Sequence, residues 1–301
     1  MFYAGDRLYA TTPKRFAVIE CQTCRLIRLS PRPAPSERPG HYPEDYWHVP
    51  EGEFGGHVLE AGSRLLLRDH VRFVERALER ARVKGPVIDV GCGGGLFLKV
   101  LRERGHQGIG LDFALSAARA AWEFNEVPTV CGTLTSAPWR DGSAAAVTMF
   151  HVLQHLYEPA SYLEAAHRLL QPGGCLIVQV PNAASWQFLL LGEDWRGLDV
   201  PRHIWNFRVR DLEILLDRSG FEVVRTKHFC LRDNAAFLAT SLAPGLDPAV
   251  RRIRGVAETK GWKIVKDGLY AALTLLSLPL AIVEAACFAG GTVMVEARKK
   301  P

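Results

Sequence analysis

The sequence lacks the marks of a nucleic-acid-binding protein and of a secreted one. Its 37 lysines and arginines outnumber its 32 acidic residues by only five, and the tight basic groups are short, Arg251-Arg252 and Arg298–Lys300. Such dispersed charge argues against a nucleic-acid partner. The first residues carry neither a basic region nor a long apolar run, so we expect no secretion signal.

Cysteine is sparse and odd in number. Of the seven cysteines, Cys131, Cys175 and Cys230 lie in apolar, strand-like runs. This usage favours reduced thiols and a cytoplasmic location, because disulfides are rare in reducing compartments. With 48% apolar residues, the 301-residue chain can bury one large α/β core and a small accessory unit.

Two common nucleotide-binding motifs are missing around the glycine-rich segment Val87–Gly95. A dinucleotide fingerprint needs a third glycine at position 96, where this chain has Leu96. A P-loop needs Lys-Ser or Lys-Thr after the glycines, and the first lysine downstream is Lys99. The segment therefore disfavours NAD and FAD and excludes a P-loop.

What is present is an apolar strand that runs into a turn with glycines at alternate positions, Gly91, Gly93 and Gly95. Asp112 follows one βαβ step later, at the end of a second apolar strand. A strand, a glycine turn and a helix in this order can hold an adenosine-bearing cofactor on a Rossmann-like sheet. The glycines alone also fit a plain strand-to-helix turn.

This arrangement resembles motif I of the class I S-adenosylmethionine (SAM)-dependent methyltransferases, and ordered matching segments extend from about Cys21 to Arg298. The resemblance implies SAM as the cofactor, with Asp112 binding both ribose hydroxyls. The residues that it places at the cofactor are Asp89, Gly91, Cys92, Gly93, Gly95, Asp112, Thr133, Leu134 and His151.

Strand and helix patterns alternate as in a doubly wound α/β fold with a mostly parallel sheet. The predicted strands are 86–91, 107–112, 128–132, 144–150, 174–180, 221–229 and 291–298. The predicted helices are 57–83, 96–105, 114–125, 159–170 and 209–219. The resemblance makes the last of the seven strands antiparallel. We expect a small N-terminal segment, 1–50, and a methyltransferase domain, 51–301.

Two histidines are candidate catalytic bases. The fourth strand ends in Met149–His155, which is similar to the His-Val-Leu-Glu-His segment of one small-molecule methyltransferase subgroup, with Gln154 in place of glutamate. His155 could take the proton of an attacking hydroxyl, because a neutral imidazole has a pKa near 6.5. His203 lies in Asp199–His203, a second segment that the subgroup shares, and is the other candidate. His151 and His155 also have a spacing that could bind zinc or serve structure alone.

Two positions depart from the family pattern. Thr133 stands where relatives have an acidic residue that meets the adenine, and Ala145 stands where an aspartate braces the glycine turn. One alternative is therefore a degenerate fold that acts as a partner subunit without catalysis.

Residues 181–208 form an aromatic, charged stretch that we expect to be a lid loop over the catalytic edge. Such a loop excludes water and shapes an acceptor pocket. The predicted acceptor-binding residues are Asn182, Trp186 and Arg202.

Cys21 and Cys24 match only the second half of a zinc ribbon that the subgroup often carries in this segment, and no second C-x-x-C pair exists. Two thiolates make half of a tetrahedral site, so we predict no metal. The site has been lost, or its first pair lies upstream.

An insertion, 230–290, contains the apolar stretch 268–290, which Pro279 and Glu284 interrupt. Peripheral contact with a membrane is one interpretation, and core or dimer packing is the other. The chain as a whole is predicted to transfer a methyl group from SAM to a small molecule, at a hydroxyl of a sugar, a quinone or a lipid-linked metabolite.

Overall fold

The computed structural model describes residues 2–43, 46 and 56–300. The strands are β1 (Phe2–Gly5), β2 (Arg15–Glu20), β3 (Ile27–Ser30), β4 (Val87–Val90), β5 (Gly108–Asp112), β6 (Thr129–Cys131), β7 (Ala144–Phe150), β8 (Leu170–Pro181), β9 (Trp205–Asn206), β10 (Phe221–Lys227) and β11 (Thr292–Lys299).

The helices alternate with these strands. They are α1 (Gly56–Ala81), α2 (Leu96–Glu103), α3 (Leu115–Asn125), α4 (Pro159–Leu169), α5 (Trp186–Leu191), α6 (Val209–Arg218), α7 (Asn234–Leu242), α8 (Pro248–Ile253) and α9 (Lys260–Ala286). The helices expected before residue 220 are present within a few residues of their predicted bounds. The insertion contains three helices, α7 to α9, which the sequence analysis did not predict individually.

Seven strands form the main sheet in the order β10-β11-β8-β7-β4-β5-β6. The neighbours from β8 to β6 pair in parallel, and β11 lies antiparallel between β8 and β10. This confirms the predicted fold class, a doubly wound Rossmann-like sheet with an antiparallel last strand. The parallel strands all end at one edge, where such sheets bind their ligands.

Alternating side chains of β7 show why the sheet needs helices on both faces. Val147 and Met149 belong to the apolar cluster under α4 and α6, whereas Ala146 belongs to the cluster under α1 and α2. Residues 144–149 are all buried. A strand that is buried on both faces carries an almost continuous apolar run, as this one does.

The N-terminal segment and the lid loop share a second, four-stranded sheet. Its strand order is β1-β2-β3-β9, and β9 comes from the lid loop. Beside this sheet, Arg202 is fully buried and forms ion pairs with Asp6 at 2.6 Å and with Asp199 at 2.8 Å. The two segments are therefore joined by backbone pairing and by buried charge.

Cys21 and Cys24 lie at the turn between β2 and β3, where Arg25 donates a backbone hydrogen bond to the carbonyl of Cys21. Hydrogen bonds from Cys24 and Thr23 lower the pKa of the Cys21 thiol to about 7. The group of three potential metal ligands found among the described residues lies elsewhere. That Cys21 and Cys24 bind no metal stays a prediction.

Replacing Arg202 with methionine tests the buried ion pairs. The variant leaves Asp6 without its cation and Asp199 with only the longer contact to Arg196 at 3.7 Å, so we expect it to lose about 3–5 kcal/mol of unfolding free energy at neutral pH. Urea unfolding measures this loss. Arg210, which is exposed on α6, gives the matched control Arg210→Met, and a loss of similar size there would contradict the prediction.

The same pairs predict a pH dependence. Burial alone would raise the pKa of Asp6 and of Asp199, but the Arg202 guanidinium holds both below the ordinary aspartate value. Their stabilising effect is therefore complete above about pH 4, the unfolded pKa, and is lost as the pH falls further. We expect the unfolding free energy to fall more steeply from pH 5 to pH 3 in the wild type than in Arg202→Met.

Candidate active site

A cavity of about 320 Å³ lies at the carboxyl edge of the main sheet. Its walls come from the ends of β4, β5, β6 and β7 and from the N-terminal segment. The lining residues are Arg38, Tyr42, Tyr46, Val90, Gly91, Leu111, Asp112, Phe113, Gly132, Thr133, Leu134, Phe150, His151, Val152, His155, Leu156 and Tyr162. The cavity therefore lies at the edge of the sheet where the sequence analysis placed the site.

The glycine turn after β4 contributes Gly91 to the cavity wall, and two of its glycines occupy positions where a larger residue would not fit. Gly91 has a φ of +73°, and a Cβ atom there would lie 2.8 Å from Cγ2 of Val152. Gly95 has a φ of +78°, and its Cβ would lie 3.0 Å from Ala121. The positive φ values and the close packing both require glycine. The backbone of the turn can consequently come close to a ligand.

Asp112 lies at the end of β5 and holds the glycine turn. Its Oδ2 accepts a hydrogen bond from the backbone N–H of Gly93 at 3.0 Å, and Oδ1 accepts one from Ala114 at 2.9 Å. Burial raises the pKa of Asp112, although these backbone donors oppose the rise. Each carboxylate oxygen keeps a lone pair, so the group can still accept hydroxyl protons from a ligand in the cavity.

Asp89 and Cys92 belong to the turn but lie outside the cavity lining. Asp89 is buried in β4 and accepts a hydrogen bond from Thr148 Oγ1 at 2.5 Å. Burial raises the pKa of Asp89 to about 7 and raises the pKa of the Cys92 thiol. Thr148 therefore supports the strand that leads into the glycine turn.

Ala145 does not lie beside the glycine turn. Its backbone N–H bonds to the carbonyl of Pro86, at the start of β4, whereas the turn follows the end of β4. An aspartate at position 145 of this chain would not reach the turn, so the expected loss of a brace does not arise.

Thr133 and Leu134 line the cavity after β6. The Thr133 hydroxyl lies 2.7 Å from Ser136 Oγ and 3.1 Å from Thr135 Oγ1. These contacts hold the hydroxyl within its own loop. The carboxylate that relatives of this family place here is absent, because residue 133 is a threonine.

His151 follows the end of β7, lines the cavity and contacts a buried carboxylate. It has a φ of +58°, which is uncommon for a residue with a side chain, and its Nε2 lies 3.2 Å from Oδ2 of Asp233. Asp233 also accepts hydrogen bonds from Arg232 and from Gln179, both at 2.8 Å. Burial alone would raise the pKa of Asp233, but Arg232 and His151 hold it well below the ordinary value.

A buried network continues behind Asp233. His70, Cys230 and Asp233 place potential metal-ligand atoms within 4.8 Å of one another. Gln179 lies between them, since its Oε1 is 2.6 Å from His70 Nε2 and its Nε2 donates to Asp233. Burial lowers the pKa of His70 to about 3 and raises that of Cys230. These contacts link the groups in a hydrogen-bond network, in which Nδ1 of His70 is buried without a partner among the described atoms.

His155 and His203 lie together, but only His155 lines the cavity. Their ring centroids are 4.5 Å apart. His155 Nδ1 is 3.0 Å from the carbonyl oxygen of Arg202, and His203 Nδ1 is 2.7 Å from that of Gly197. A carbonyl oxygen only accepts, so Nδ1 carries the proton in both rings. Burial lowers the pKa of His155 well below its usual value and that of His203 to about 4.

The structure does not bring Asn182, Trp186 and Arg202 to the cavity lining. Asn182 is fully buried and donates to the carbonyl of Gly290 at 3.0 Å, and Trp186 begins α5. All three nitrogens of the Arg202 guanidinium donate to groups of the protein, so none is left for an acceptor. Arg202 holds the lid loop instead, and the sequence could not reveal its distant partner Asp6.

Several cavity residues escaped the sequence analysis. The Tyr42 hydroxyl lies 3.0 Å from His155 Nδ1, and the Arg38 guanidinium lies 4.8 Å from the centre of the Phe113 ring. Tyr162 adds a further aromatic ring to the lining. Tyr42 lies in the N-terminal segment, and nothing in the sequence around it indicates that it lies beside His155.

Comparison with known proteins agrees with this geometry. The methyltransferase domain family matches residues 63–226. A protein of Mycolicibacterium smegmatis that is named a probable SAM-dependent methyltransferase is 29% identical over 144 residues, which cover 46% of this chain and 53% of that protein. The ubiquinone biosynthesis O-methyltransferase of Alkalilimnicola ehrlichii is 33% identical over 138 residues, 42% of this chain and 56% of that enzyme.

The chain belongs to the class I SAM-dependent methyltransferase family. Its match spans just over half the length of each of these relatives. A crystal structure of a SAM-dependent methyltransferase from Archaeoglobus fulgidus shares the fold, with a TM-score of 0.50, 16% identity and coverage of 77% of this chain and 94% of that one.

The cavity of this methyltransferase fits the cofactor of its family. The glycine turn has no side chains that would keep a ligand away from its backbone. Asp112 lies at the end of β5, the strand next to β4, and its carboxylate can accept hydrogen bonds from that ligand. Phe113 is 47% exposed at the cavity and presents a ring face on which adenine could stack. The roles of the individual residues remain predictions.

Replacing Asp112 with asparagine tests the cofactor site. The variant keeps the size of the side chain but replaces one acceptor oxygen with a donor, so we expect the affinity for S-adenosylhomocysteine to fall about tenfold or more. Isothermal titration calorimetry measures the change. Asp141, an exposed aspartate, supplies the control Asp141→Asn, and equal affinities of both variants would contradict the assignment.

Proposed function

We propose that this methyltransferase transfers a methyl group from SAM to a hydroxyl of a small molecule in the cytoplasm. The observation that carries the proposal is His151 at the wall of the cavity, with the buried carboxylate of Asp233 behind it at 3.2 Å. A hydroxyl loses its proton when it is methylated, and an imidazole with a carboxylate behind it can receive that proton. Bound SAM would supply a methyl group activated by a sulfonium charge.

The hydrogen bond to Asp233 defines how His151 would act. A carboxylate only accepts, so the Nε2 atom of His151 carries a proton and Nδ1 is the basic nitrogen. Asp233 keeps its negative charge because Arg232 is bound to it. That charge stabilises the imidazolium that forms when Nδ1 accepts the hydroxyl proton.

His155 and His203 stay in the proposal as the alternative bases. In each ring a backbone carbonyl accepts a hydrogen bond from Nδ1, so Nε2 is the nitrogen that would accept a proton. Burial lowers the pKa of both rings, even though Asp199 lies 3.8 Å from Nε2 of His203, so both accept a proton less readily than an ordinary histidine. We therefore favour His151, which the sequence analysis had assigned to the cofactor.

The acceptor class follows from the relatives and from the cavity. Several curated relatives are ubiquinone biosynthesis O-methyltransferases. The cavity lining is aromatic and apolar, with Tyr42, Tyr46, Phe113 and Tyr162 around it. These features support a ring-bearing acceptor such as a catechol, with sugar and lipid-linked hydroxyls as the other members of the proposal.

The His151→Gln variant should lose methyl transfer while it keeps the cofactor. We expect kcat to fall about 100-fold or more, because general-base catalysis contributes about 10²–10⁴-fold. The assay follows transfer of labelled methyl from SAM to a panel of catechol, phenol and sugar acceptors, and calorimetry follows S-adenosylhomocysteine binding. His106, which bonds to Glu75 away from the cavity, supplies the control His106→Gln.

The Asp233→Asn variant extends this test. It should lower kcat less than His151→Gln, because the imidazole is still present, and it should shift the acid limb of the pH–rate profile to lower pH, because the imidazolium loses the negative charge that stabilises it. If His155→Gln abolishes transfer and His151→Gln does not, the base is His155.

Thr133 supports one alternative from another class, a partner subunit that lacks catalysis. In this alternative the missing acidic residue prevents useful cofactor binding. Failure of the wild-type protein to bind SAM and S-adenosylhomocysteine at high micromolar concentration would favour it. A gain of affinity in Thr133→Asp, from a measurable wild-type value, would instead support the cofactor site.

A further inference from the structure

Helix α9 exposes apolar side chains along most of its length. It has 27 residues, and its most apolar 18-residue window has a mean hydropathy of 1.8 with only 17% of that window buried. The large exposed side chains of this helix are Trp262, Ile264, Val265, Leu269, Leu275, Leu276, Leu280, Ile282 and Val283. An exposed apolar patch of this extent indicates an interaction site in a soluble domain.

Neighbouring segments extend this surface. Helix α5 contacts α9, since Gln187 donates to Glu284, and Leu189 and Leu190 of α5 are 70% and 78% exposed. Phe288 follows α9 directly and is 76% exposed. We call the exposed side chains of α9 together with these three residues the apolar surface.

The inner face of α9 is held to the protein by polar contacts. Glu284 is buried and accepts hydrogen bonds from the backbone N–H of Gln187 at 3.0 Å and from its side chain at 2.8 Å. The Tyr270 hydroxyl lies 2.9 Å from that of Thr240 on α7. These contacts fix α9 along the domain, so it does not separate from α7 without exposing buried polar groups.

The topology keeps both ends of α9 on one side of any membrane. The chain enters from α8 and returns six residues after Ala286 to β11, which pairs with β8 and β10 in the main sheet. A helix of this length is about 40 Å long and could cross a bilayer. Here it lies against the domain surface, which allows contact in the membrane plane and not a crossing.

The charges on the apolar surface have one sign. Its exposed charged residues are Lys260 and Lys263, beside Trp262 at the N-terminal end of α9. Neither lysine has an ion-pair partner among the residues that the structure describes. The acidic residues of α9 are engaged elsewhere: Asp267 with Arg251, and Glu284 with Gln187.

We propose that the apolar surface docks this protein onto an anionic lipid bilayer, with α9 lying in the plane of the membrane. Apolar side chains beside lysines and a tryptophan are typical of helices that rest at the headgroup boundary. Anionic headgroups attract each nearby lysine. The proposal is independent of the methyl-transfer chemistry, because no residue of the apolar surface lines the cavity.

A second copy of the chain fits this surface less well. In a two-fold pair of α9 helices, the lysines of one copy would face either the lysines or the apolar C-terminal half of the other. Among the described residues of α9, Asp267 is already paired with Arg251 and Glu284 is buried against Gln187, so neither carboxylate is available to receive them. Lipid headgroups supply the missing negative charge, and acyl chains supply the apolar partner.

Flotation of the purified full chain with vesicles tests the proposal. Vesicles of phosphatidylcholine with 30% phosphatidylglycerol should carry the protein upward in a sucrose gradient, and pure phosphatidylcholine vesicles should carry much less. The pair Lys260→Gln and Lys263→Gln should reduce partitioning about tenfold or more, and high salt should act in the same direction. Leu275→Asp with Leu276→Asp should abolish flotation.

Ile214, which is 43% exposed on α6, supplies the control Ile214→Asp, which should float like the wild type. Circular dichroism and S-adenosylhomocysteine binding establish that each variant is folded. Equal flotation of wild type and the leucine variant, or equal binding to both vesicle types, would overturn the proposal. So would a stable dimer in light scattering that the leucine substitutions dissociate and that does not float.

Discussion

The buried ion pairs of Arg202 are the constraint on which the cavity depends. The guanidinium joins Asp6 of the N-terminal segment to Asp199 of the lid loop, 193 residues further along the chain. The carbonyl of Arg202 also fixes Nδ1 of His155, which Tyr42 approaches from the other segment. Removing two carboxylates and a cation from water is costly unless all of them are paired, so these segments form a unit with the cavity wall.

Two carboxyl groups beside the cavity have opposite environments. Asp112 is held by the backbone N–H groups of Gly93 and Ala114, and burial raises its pKa. Asp233 is also buried, but Arg232 keeps its pKa well below the ordinary value. The difference suits two tasks, because a hydrogen-bonded carboxylate can receive neutral hydroxyls and a permanently charged one can stabilise a protonated His151.

The features that could be predicted from the sequence are those formed by residues close together along the chain. The glycine turn and Asp112 are one βαβ unit, so their proximity follows from the strand and helix pattern alone. The role of Arg202 could not be predicted in this way, because its partner Asp6 lies 196 residues away. The partner of His151 was missed for the same reason: Asp233 comes from the insertion, 82 residues later. The pattern of 268–290 indicated an apolar helix, but only the packing shows which side of it is covered.

The central claim is that the cavity at the end of β4 and β5 binds the cofactor, with His151 next to the reacting end. A crystal structure of the full chain with S-adenosylhomocysteine tests it most directly. The account predicts that Asp112 accepts hydrogen bonds from both ribose hydroxyls and that the thioether sulfur lies on the His151 side of the cavity. A ligand bound elsewhere, or a ribose that leaves Asp112 without a contact, would contradict it.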